Sequence, residues 1–318
     1  MRAVQIHQFG DVGVLEVNEV AIPTPGRDQI RLKVFAAGIN PVDTYVRNGL
    51  YGDTGFPRIL GFDAAGVIDA VGPGGDQAII GQRVYTCSAL PGSYAEYALV
   101  NLDRVYPLPD HITFAQGAAI GIPYATAYAA LHTWSHASSE SIVLVHGGSG
   151  GVGIATIEIA KATGSTVIAS CGTDGGEGIL REHGADLVVR HDQERYDHTI
   201  RDAFPSGVDI IIEMCAHINL ANDLTLLKKG GTVVVVGSRG PVQINPRDIM
   251  IRDAKIQGML LFNATSGQRQ HIHQKLYTML LDNTIRPRVA IELPLESVME
   301  SHHRVLQSGI GGKIVLIP

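Results

Sequence analysis

Along roughly the first 115 residues, apolar and polar positions alternate in short runs that Gly and Pro interrupt. Gln29-Ile-Arg-Leu-Lys-Val-Phe-Ala36, Ala65-Gly-Val-Ile-Asp-Ala-Val71 and Arg83-Val-Tyr-Thr-Cys87 read as strands. Pro23-Thr-Pro-Gly26, Gly72-Pro-Gly-Gly75 and Pro91-Gly92 read as the turns between them. The pattern predicts a β-rich module with one helix near 41–49. From residue 116 the period changes. An Ala-rich apolar stretch over 116–134 is expected to be helical. Val/Ile-rich strands are then expected at 141–146, 166–170, 187–190, 208–213 and 231–237. They alternate with helices at 151–163, 177–184 and 221–229, the first closed by Gly164 as a C-cap. Such a rhythm means an α/β fold with a doubly wound parallel sheet. After residue 262, a helix over 269–281 and terminal strands ending in Lys313-Ile-Val-Leu-Ile317 return to the first texture. The expected organisation is therefore a nucleotide-binding domain, 116–262, inserted into a β-rich domain made from 1–115 and 263–318.

Composition narrows the function more than the fold. The 318 residues are 45% apolar and 18% charged, ordinary globular material with length for two domains. A net charge of -6 gives no footprint for nucleic acid or acidic membranes. Cys87, Cys171 and Cys215 are scattered and form no CxxC, so neither a disulfide framework nor a thiolate zinc lobe is expected. The start, Met1 to Gly10, alternates in polarity and lacks the apolar core of a signal peptide, and no apolar run reaches bilayer length. A cytoplasmic protein is expected.

The chemistry centres on Ile142-Val-Leu-Val-His146 running into Gly147-Gly-Ser-Gly-Gly-Val-Gly153. Gly147, Gly150 and Gly153 keep a GxxGxxG spacing, which lets backbone amides approach a pyrophosphate at the positive end of a helix. Glycine spacing alone is as easily a plain strand-to-helix turn. The strand before, the helix after and the βα rhythm beyond favour a dinucleotide. NAD enzymes usually place an acid at the end of the second strand to hold the ribose. Ser170-Cys-Gly-Thr173 has none there, which favours NADP, although Asp174 lies just beyond; the nearby cations are Arg181 and Arg239.

Longer strings carry a family likeness: Gly38-Ile-Asn-Pro-Val-Asp-Thr-Tyr45, Gly61-Phe-Asp-Ala-Ala-Gly-Val67, Gly92-Ser-Tyr-Ala-Glu-Tyr97, Gln116-Gly-Ala-Ala-Ile-Gly-Ile-Pro-Tyr124, Val236-Gly-Ser-Arg-Gly240 and Ile244-Asn-Pro-Arg-Asp248. Through them the chain resembles, nearly end to end, the zinc-independent quinone oxidoreductases of the medium-chain dehydrogenase/reductase superfamily, the zeta-crystallin group in particular. The resemblance implies a Rossmann domain inserted into a GroES-like catalytic domain, with NADPH as cofactor. It implies quinone acceptors, ortho-quinones favoured and often reduced by one-electron steps overall, and a homodimer or homotetramer built through the nucleotide domains. It also implies binding of AU-rich RNA, which the acidic composition does not predict. Cofactor contacts are implied at Tyr45, Ser149, Gly150, Gly151, Val152, Gly172, His191, Asn219, Val236, Gly237, Ser238, Arg239, Met259, Leu260 and Leu261. One departure stands out: relatives usually carry a Lys soon after the equivalent of Gly172, and Asp174-Gly-Gly-Glu-Gly178 holds none.

Zinc-dependent members of that superfamily place a Cys, and then a His-Glu pair, where this chain has Asn40-Pro-Val-Asp43 and Phe62-Asp63. No metal is expected. His271 with His273 could form a metal motif, but i and i+2 face apart on a helix, and a solvated face is the favoured reading. Without a Lewis acid, alcohol oxidation lacks its usual means of stabilising an alkoxide, whereas an electron-poor quinone needs mainly positioning. Asn40 is then a candidate to hydrogen-bond the acceptor, Tyr45 to flank the nicotinamide or donate a proton, and Thr126 to hold the carboxamide. Helix capping serves equally for Asn40 and Asp43, and core packing for Tyr45. Tyr51, Tyr97 and Tyr124 read as packing residues and Glu213 as a structural hydrogen-bonding group. The rival functions are reduction of enones or enoyl thioesters on the same fold, RNA or structural binding of the zeta-crystallin kind, and nucleotide sensing without turnover.

Overall fold

The computed structural model describes residues 1–52 and 55–318. In chain order the first strands are β1 (Arg2–Ile6), β2 (Glu16–Glu19), β3 (Gln29–Ile39), β4 (Arg58–Ile59), β5 (Asp63–Val71), β6 (Arg83–Thr86), β7 (Tyr97–Asn101) and β8 (Tyr106–Pro107), with helix α1 (Pro41–Arg47) after β3. Two short helices, α2 (Phe114–Gly117) and α3 (Gly121–Tyr128), lead into a π-helical turn, Ala129–Trp134. Then strands and helices alternate: β9 (Ile142–Val145), α4 (Gly151–Thr163), β10 (Thr166–Cys171), α5 (Asp174–Glu182), β11 (Leu187–Arg190), α6 (Tyr196–Ala203), β12 (Val208–Glu213), α7 (Ala216–Leu226), β13 (Leu227–Val235), α8 (Pro246–Met250) and β14 (Lys255–Gly258). Helix α9 (Ser266–Leu281), β15 (Val289–Pro294), α10 (Val298–Arg304) and β16 (Lys313–Ile317) complete the chain.

The chain divides into two compact units, Met1–Ile122 with Arg286–Pro318, and Pro123–Ile285. The divisions thus fall seven residues past the expected 115 and well past 262, so α9 belongs to the second unit. Its inner face explains why: Ile272, Leu276 and Leu280 are buried, and Ile272 lines a small apolar pocket with Ala129, Trp134 and Met259. In the first unit, β3 pairs with β5, β7 and β16, and a separate small sheet has the order β2-β1-β4. Its core gathers Ile30, Leu32, Leu60, Ile68, Leu295 and Leu316. In the second unit six parallel strands run in the order β11-β10-β9-β12-β13-β14, built on buried Val143, Leu144, Val167, Ile211 and Val233. Reversal of strand order on either side of β9 is the doubly wound plan the alternating pattern predicted.

Several local expectations are corrected. The apolar stretch 116–134 is not one helix. Asp63 Oδ1 accepts the Ile122 N–H at 2.8 Å and starts a new helix there, while Thr113 and Gln116 cap α2 reciprocally. The helix expected at 221–229 spans Ala216–Leu226 instead, because buried Leu227 is already extended and paired with Val208. Helix α6 was not expected; its sequence is polar and buries only Ile200. His273 is buried rather than solvated, 3% exposed, and Tyr51 is exposed rather than packed.

Candidate functional site

Strand β9 ends at a buried pair of residues and the chain then turns sharply. Gly147 takes φ +60°, a conformation favourable only for Gly, and its carbonyl accepts the Gly150 N–H at 3.1 Å. A Cβ on Gly153 would lie 2.4 Å from Gly147 O and 2.6 Å from Gly148 Cα, so only Gly lets α4 start against the turn. Gly150 differs: its φ is an ordinary -83°, and a Cβ there would meet nothing nearer than Gly147 O at 3.5 Å. No side chain caps α4, leaving its first amides to whatever stands before it.

The other candidate segments gather at the same edge. Each parallel strand of the second unit is followed at its C-terminal end by one of them: Gly147–Gly153 after β9, Gly172 after β10, His191 after β11, Asn219 in the first turn of α7 after β12, Val236–Arg239 after β13, and Met259–Leu261 after β14. Nucleotides bind at this edge of a doubly wound sheet. His191 is held by its N–H on Cys171 O at 3.0 Å and its Nδ1 lies 3.4 Å from Ser170 Oγ; burial is the main cause that holds its pKa below the ordinary value. Ser238 Oγ donates to Gly240 O, and the Arg239 N–H donates to His217 Nδ1. Tyr45, half-buried in α1, belongs to the first unit, and buried Thr126 to α3.

At the end of β10 no acid points from the strand, but the loop beyond is acidic. Register pairs Cys171 with Arg190, and Arg190 is bound by Asp174, Glu177 and Asp192. Its hydrogen bonds donated to Asp192 and Asp174 raise the pKa of the guanidinium. Arg190 was not singled out in the sequence; strand register alone could have placed it beside Gly172. Arg181 pairs loosely with Glu177 at 4.0 Å.

Beneath the glycine turn lies a buried polar cluster. His146 Nδ1 is 3.1 Å from Ser170 Oγ and its Nε2 is 2.9 Å from Asp223 Oδ1. Burial opposes the imidazolium, yet Asp223 and Glu213 outweigh it and His146 is held above its ordinary pKa. Glu213 Oε1 accepts from the Cys215 N–H and from Asn219 Nδ2, so the structural role expected for it is what its contacts provide. Desolvation pushes its carboxyl up to about 7. Tyr124 is the packing residue expected, its hydroxyl donating to Glu158 Oε2 at 2.7 Å. Tyr97 lies under Arg31.

In the first unit Asn40 is committed at both ends of its amide. Lys313 Nζ donates to its Oδ1, and its Nδ2 donates to Asp63 Oδ2 at 2.9 Å. Lys313 also donates to Asp63 Oδ2 at 2.9 Å. Asp43 caps α1 by accepting the Asn40 N–H at 2.7 Å and also accepts the Tyr94 hydroxyl; burial pushes its carboxyl up to about 7. The capping role weighed for Asn40 and Asp43 is thus realised through the Asp43 side chain, while the Asn40 side chain serves the buried ion pair.

The chain matches two family models, the alcohol dehydrogenase GroES-like domain over residues 26–110 and the zinc-binding dehydrogenase over 151–278. Over its whole length it is 44% identical to the quinone oxidoreductase of Homo sapiens, covering 98% of that protein. The chain belongs to the quinone oxidoreductase family. Two solved structures each match it along the full length of both chains. An NAD-dependent alcohol dehydrogenase does so at 26% identity and TM-score 0.92, and the Escherichia coli quinone oxidoreductase, complexed with NADPH, at 25% and 0.90.

A zinc ion of the kind the second model's name implies does not fit this family member's residues. Phe62 offers no ligand, and the Lys313 ammonium already stands on Asp63 and Asn40, supplying the positive charge an ion would bring. A dinucleotide does fit: the Cβ-free approach of Gly153 to the turn leaves uncapped amides at the edge where six segments converge. Among the described residues no helix is long and apolar enough to cross a membrane.

Proposed function

We propose that the chain is a zinc-free reductase that holds NADPH on the turn after β9 and delivers its hydride to a quinone. The convergence of that turn with the five other segments at one sheet edge carries the reading. The 44% identity to a quinone oxidoreductase supports the acceptor, and the NADPH complex of the Escherichia coli enzyme supports the cofactor. Bound NADPH supplies a hydride at its nicotinamide. The amides of Ser149, Gly150, Gly151 and Val152 would hold the pyrophosphate, and Gly172 and His191 would take the adenosine. Asn219, Val236–Arg239 and Met259–Leu261 would hold the remainder. Arg190 is the cation for the 2′-phosphate in place of the missing Lys, in competition with Asp174 and Glu177. Thr126 would hold the nicotinamide carboxamide; with the Asn40 amide engaged by Lys313 and Asp63, Tyr45 is the candidate proton donor to the acceptor. One hydride and one proton convert the quinone to its quinol, which requires positioning more than a Lewis acid. The enzyme works as a cytoplasmic homodimer or homotetramer. The test is oxidation of NADPH and NADH with a panel of ortho-quinones, an alkenal and an enoyl-CoA. Fast turnover of ortho-quinones with NADPH is expected; turnover confined to the alkenal or the thioester would overturn the acceptor, and equal rates with NADH the cofactor preference.

A further inference from the structure

His146, Glu213 and Asp223 are 1%, 0% and 0% exposed, and each offers a polar atom within 4.8 Å of the other two. Their hydrogen bonds can be counted. His146 is occupied at both nitrogens, by Ser170 and Asp223. Glu213 Oε1 takes two N–H groups, from Cys215 and Asn219. That leaves Glu213 Oε2 and Asp223 Oδ2, both buried and both without a donor. Two ionised carboxylates against one imidazolium would leave a net negative charge and two carboxylate oxygens without a protein donor in a buried site, which is costly. His146, directly after β9, attracts the Glu213 charge, its Nε2 3.9 Å from Oε2, but that is beyond hydrogen-bond reach, and the other titratable groups around Glu213 give Oε2 no donor. They are His191 beyond Ser170, Tyr196 from α6 with its hydroxyl on Asn222, Cys215 and His217 at the start of α7, Asp223 within it, and Arg239, which faces Cys215. A single proton on Glu213 removes both problems, because its O–H becomes the donor Asp223 lacks.

The cluster is also where the nucleotide segments are tied. His146 directly precedes Gly147, and Ser170 O accepts the Gly148 N–H at 2.8 Å. Ser170 Oγ touches both His146 and His191. Glu213 O accepts the Val236 and Gly237 N–H groups at 2.8 and 3.2 Å, and its side chain holds Asn219. We propose that Glu213 is a positioning residue that works as a neutral acid, donating to Asp223 while accepting from Asn219, and that loss of its proton loosens the nucleotide segments and weakens NADPH binding. The role rests on the NADPH reading above.

The test is NADPH affinity of the full-length protein between pH 6 and 8.5, by calorimetry, for wild type, Glu213→Ala and Glu213→Gln. Wild-type Kd rises with pH, at most about tenfold per unit for one linked proton. Glu213→Ala weakens binding at pH 6, by about tenfold for a lost hydrogen-bonding group. Glu213→Gln, whose amide donates as the neutral acid does, recovers most of that loss and flattens the rise. The cofactor's 2′-phosphate titrates alike with every protein, so the ratio of wild-type to variant Kd is free of it. Parallel wild-type and Glu213→Gln profiles would overturn the inference alone; wild type that binds no NADPH at any pH would overturn the cofactor reading as well. In the infrared difference between wild type and Glu213→Gln at pH 6, the carbonyl band of a protonated carboxylic acid is expected independently of any ligand, the Asp43 acid, also raised to about 7, being common to both proteins. Stoichiometric bound metal that Glu213→Gln releases would mean the cluster holds an ion instead of a proton, and would overturn it too.

Discussion

Gly150 and Gly153 look equivalent in the GxxGxxG spacing, and the structure separates them. An Ala side chain at 153 would put its Cβ 2.4 Å from Gly147 O and 2.6 Å from Gly148 O, both backbone atoms with nowhere to rotate. Restoring ordinary contact requires the turn to retreat by about 1 Å. Overpacking of that kind costs about 1–3 kcal/mol, which lowers Tm by about 2–4 °C for each kcal/mol. A turn displaced so far no longer meets the pyrophosphate, and a misplacement of about 1 Å is worth roughly 100-fold. Gly153→Ala is therefore expected to lose both stability and NADPH affinity. At 150 the Cβ meets only Gly147 O, at 3.5 Å, and the backbone is already extended. The weaker N-cap and the smaller unfolded-state entropy of Ala nearly cancel, at about 0.5–1 kcal/mol each. Gly150→Ala should keep its Tm within a few degrees, about 2–4 °C, yet bind NADPH at least about tenfold more weakly, because the methyl group occupies space that only the ligand needs. Thermal melts and calorimetric titration of the two variants read this directly. Wild-type NADPH affinity in Gly150→Ala would refute the claim that the cofactor presses on this turn.

Three further perturbations follow from the same geometry. Asp174→Asn releases Arg190 from one of its carboxylates and should tighten NADPH binding severalfold, about two- to fivefold on the scale of exposed pairs, while leaving NADH affinity unchanged by calorimetry. Lys313→Met strands the Asp63 carboxylate in a buried site and should cost about 3–5 kcal/mol in urea unfolding; the double variant with Asp63→Asn should be less destabilised than the single one. His302 accepts from Arg47 Nη1 at 3.1 Å, and burial first, then the charge of Arg47, pushes its pKa down to about 3. A group held below its unfolded value stabilises the fold above that value, so the stability it contributes is present near pH 7 and is lost as pH falls from about 6.5 toward 3, by about 1.4 kcal/mol per unit. Acid unfolding followed by circular dichroism should show a shallower pH slope in His302→Gln.

The second unit was legible because its period is strong: β9, α4 and β11 lie at or within a residue of where the alternation put them. Boundaries failed where a tertiary contact overruled local pattern, as where Asp63, distant in sequence, captures the Ile122 N–H and breaks the apolar stretch, or where Leu227 joins the sheet before its expected strand. The glycine turn was visible in sequence, but the different duties of Gly147, Gly150 and Gly153 are not, since they depend on a sign of φ and on distances to backbone atoms. Asn40 read as an acceptor contact because its partner Lys313 is 273 residues away. The cluster of His146, Ser170, Glu213 and Asp223 was hidden for a related reason: it joins the ends of three strands and a helix. Arg190 needed the β10–β11 register.

The central claim is that this chain moves a hydride from NADPH to a quinone without zinc. The most direct measurement is anaerobic stopped-flow oxidation of NADPH and of its 4-deuterated form by 1,2-naphthoquinone, using enzyme dialysed against a strong chelator. Quinol formation at a rate unaffected by the chelator and slowed by deuterium is predicted. Activity that disappears on dialysis and returns with zinc, or no NADPH oxidation at all, would contradict it.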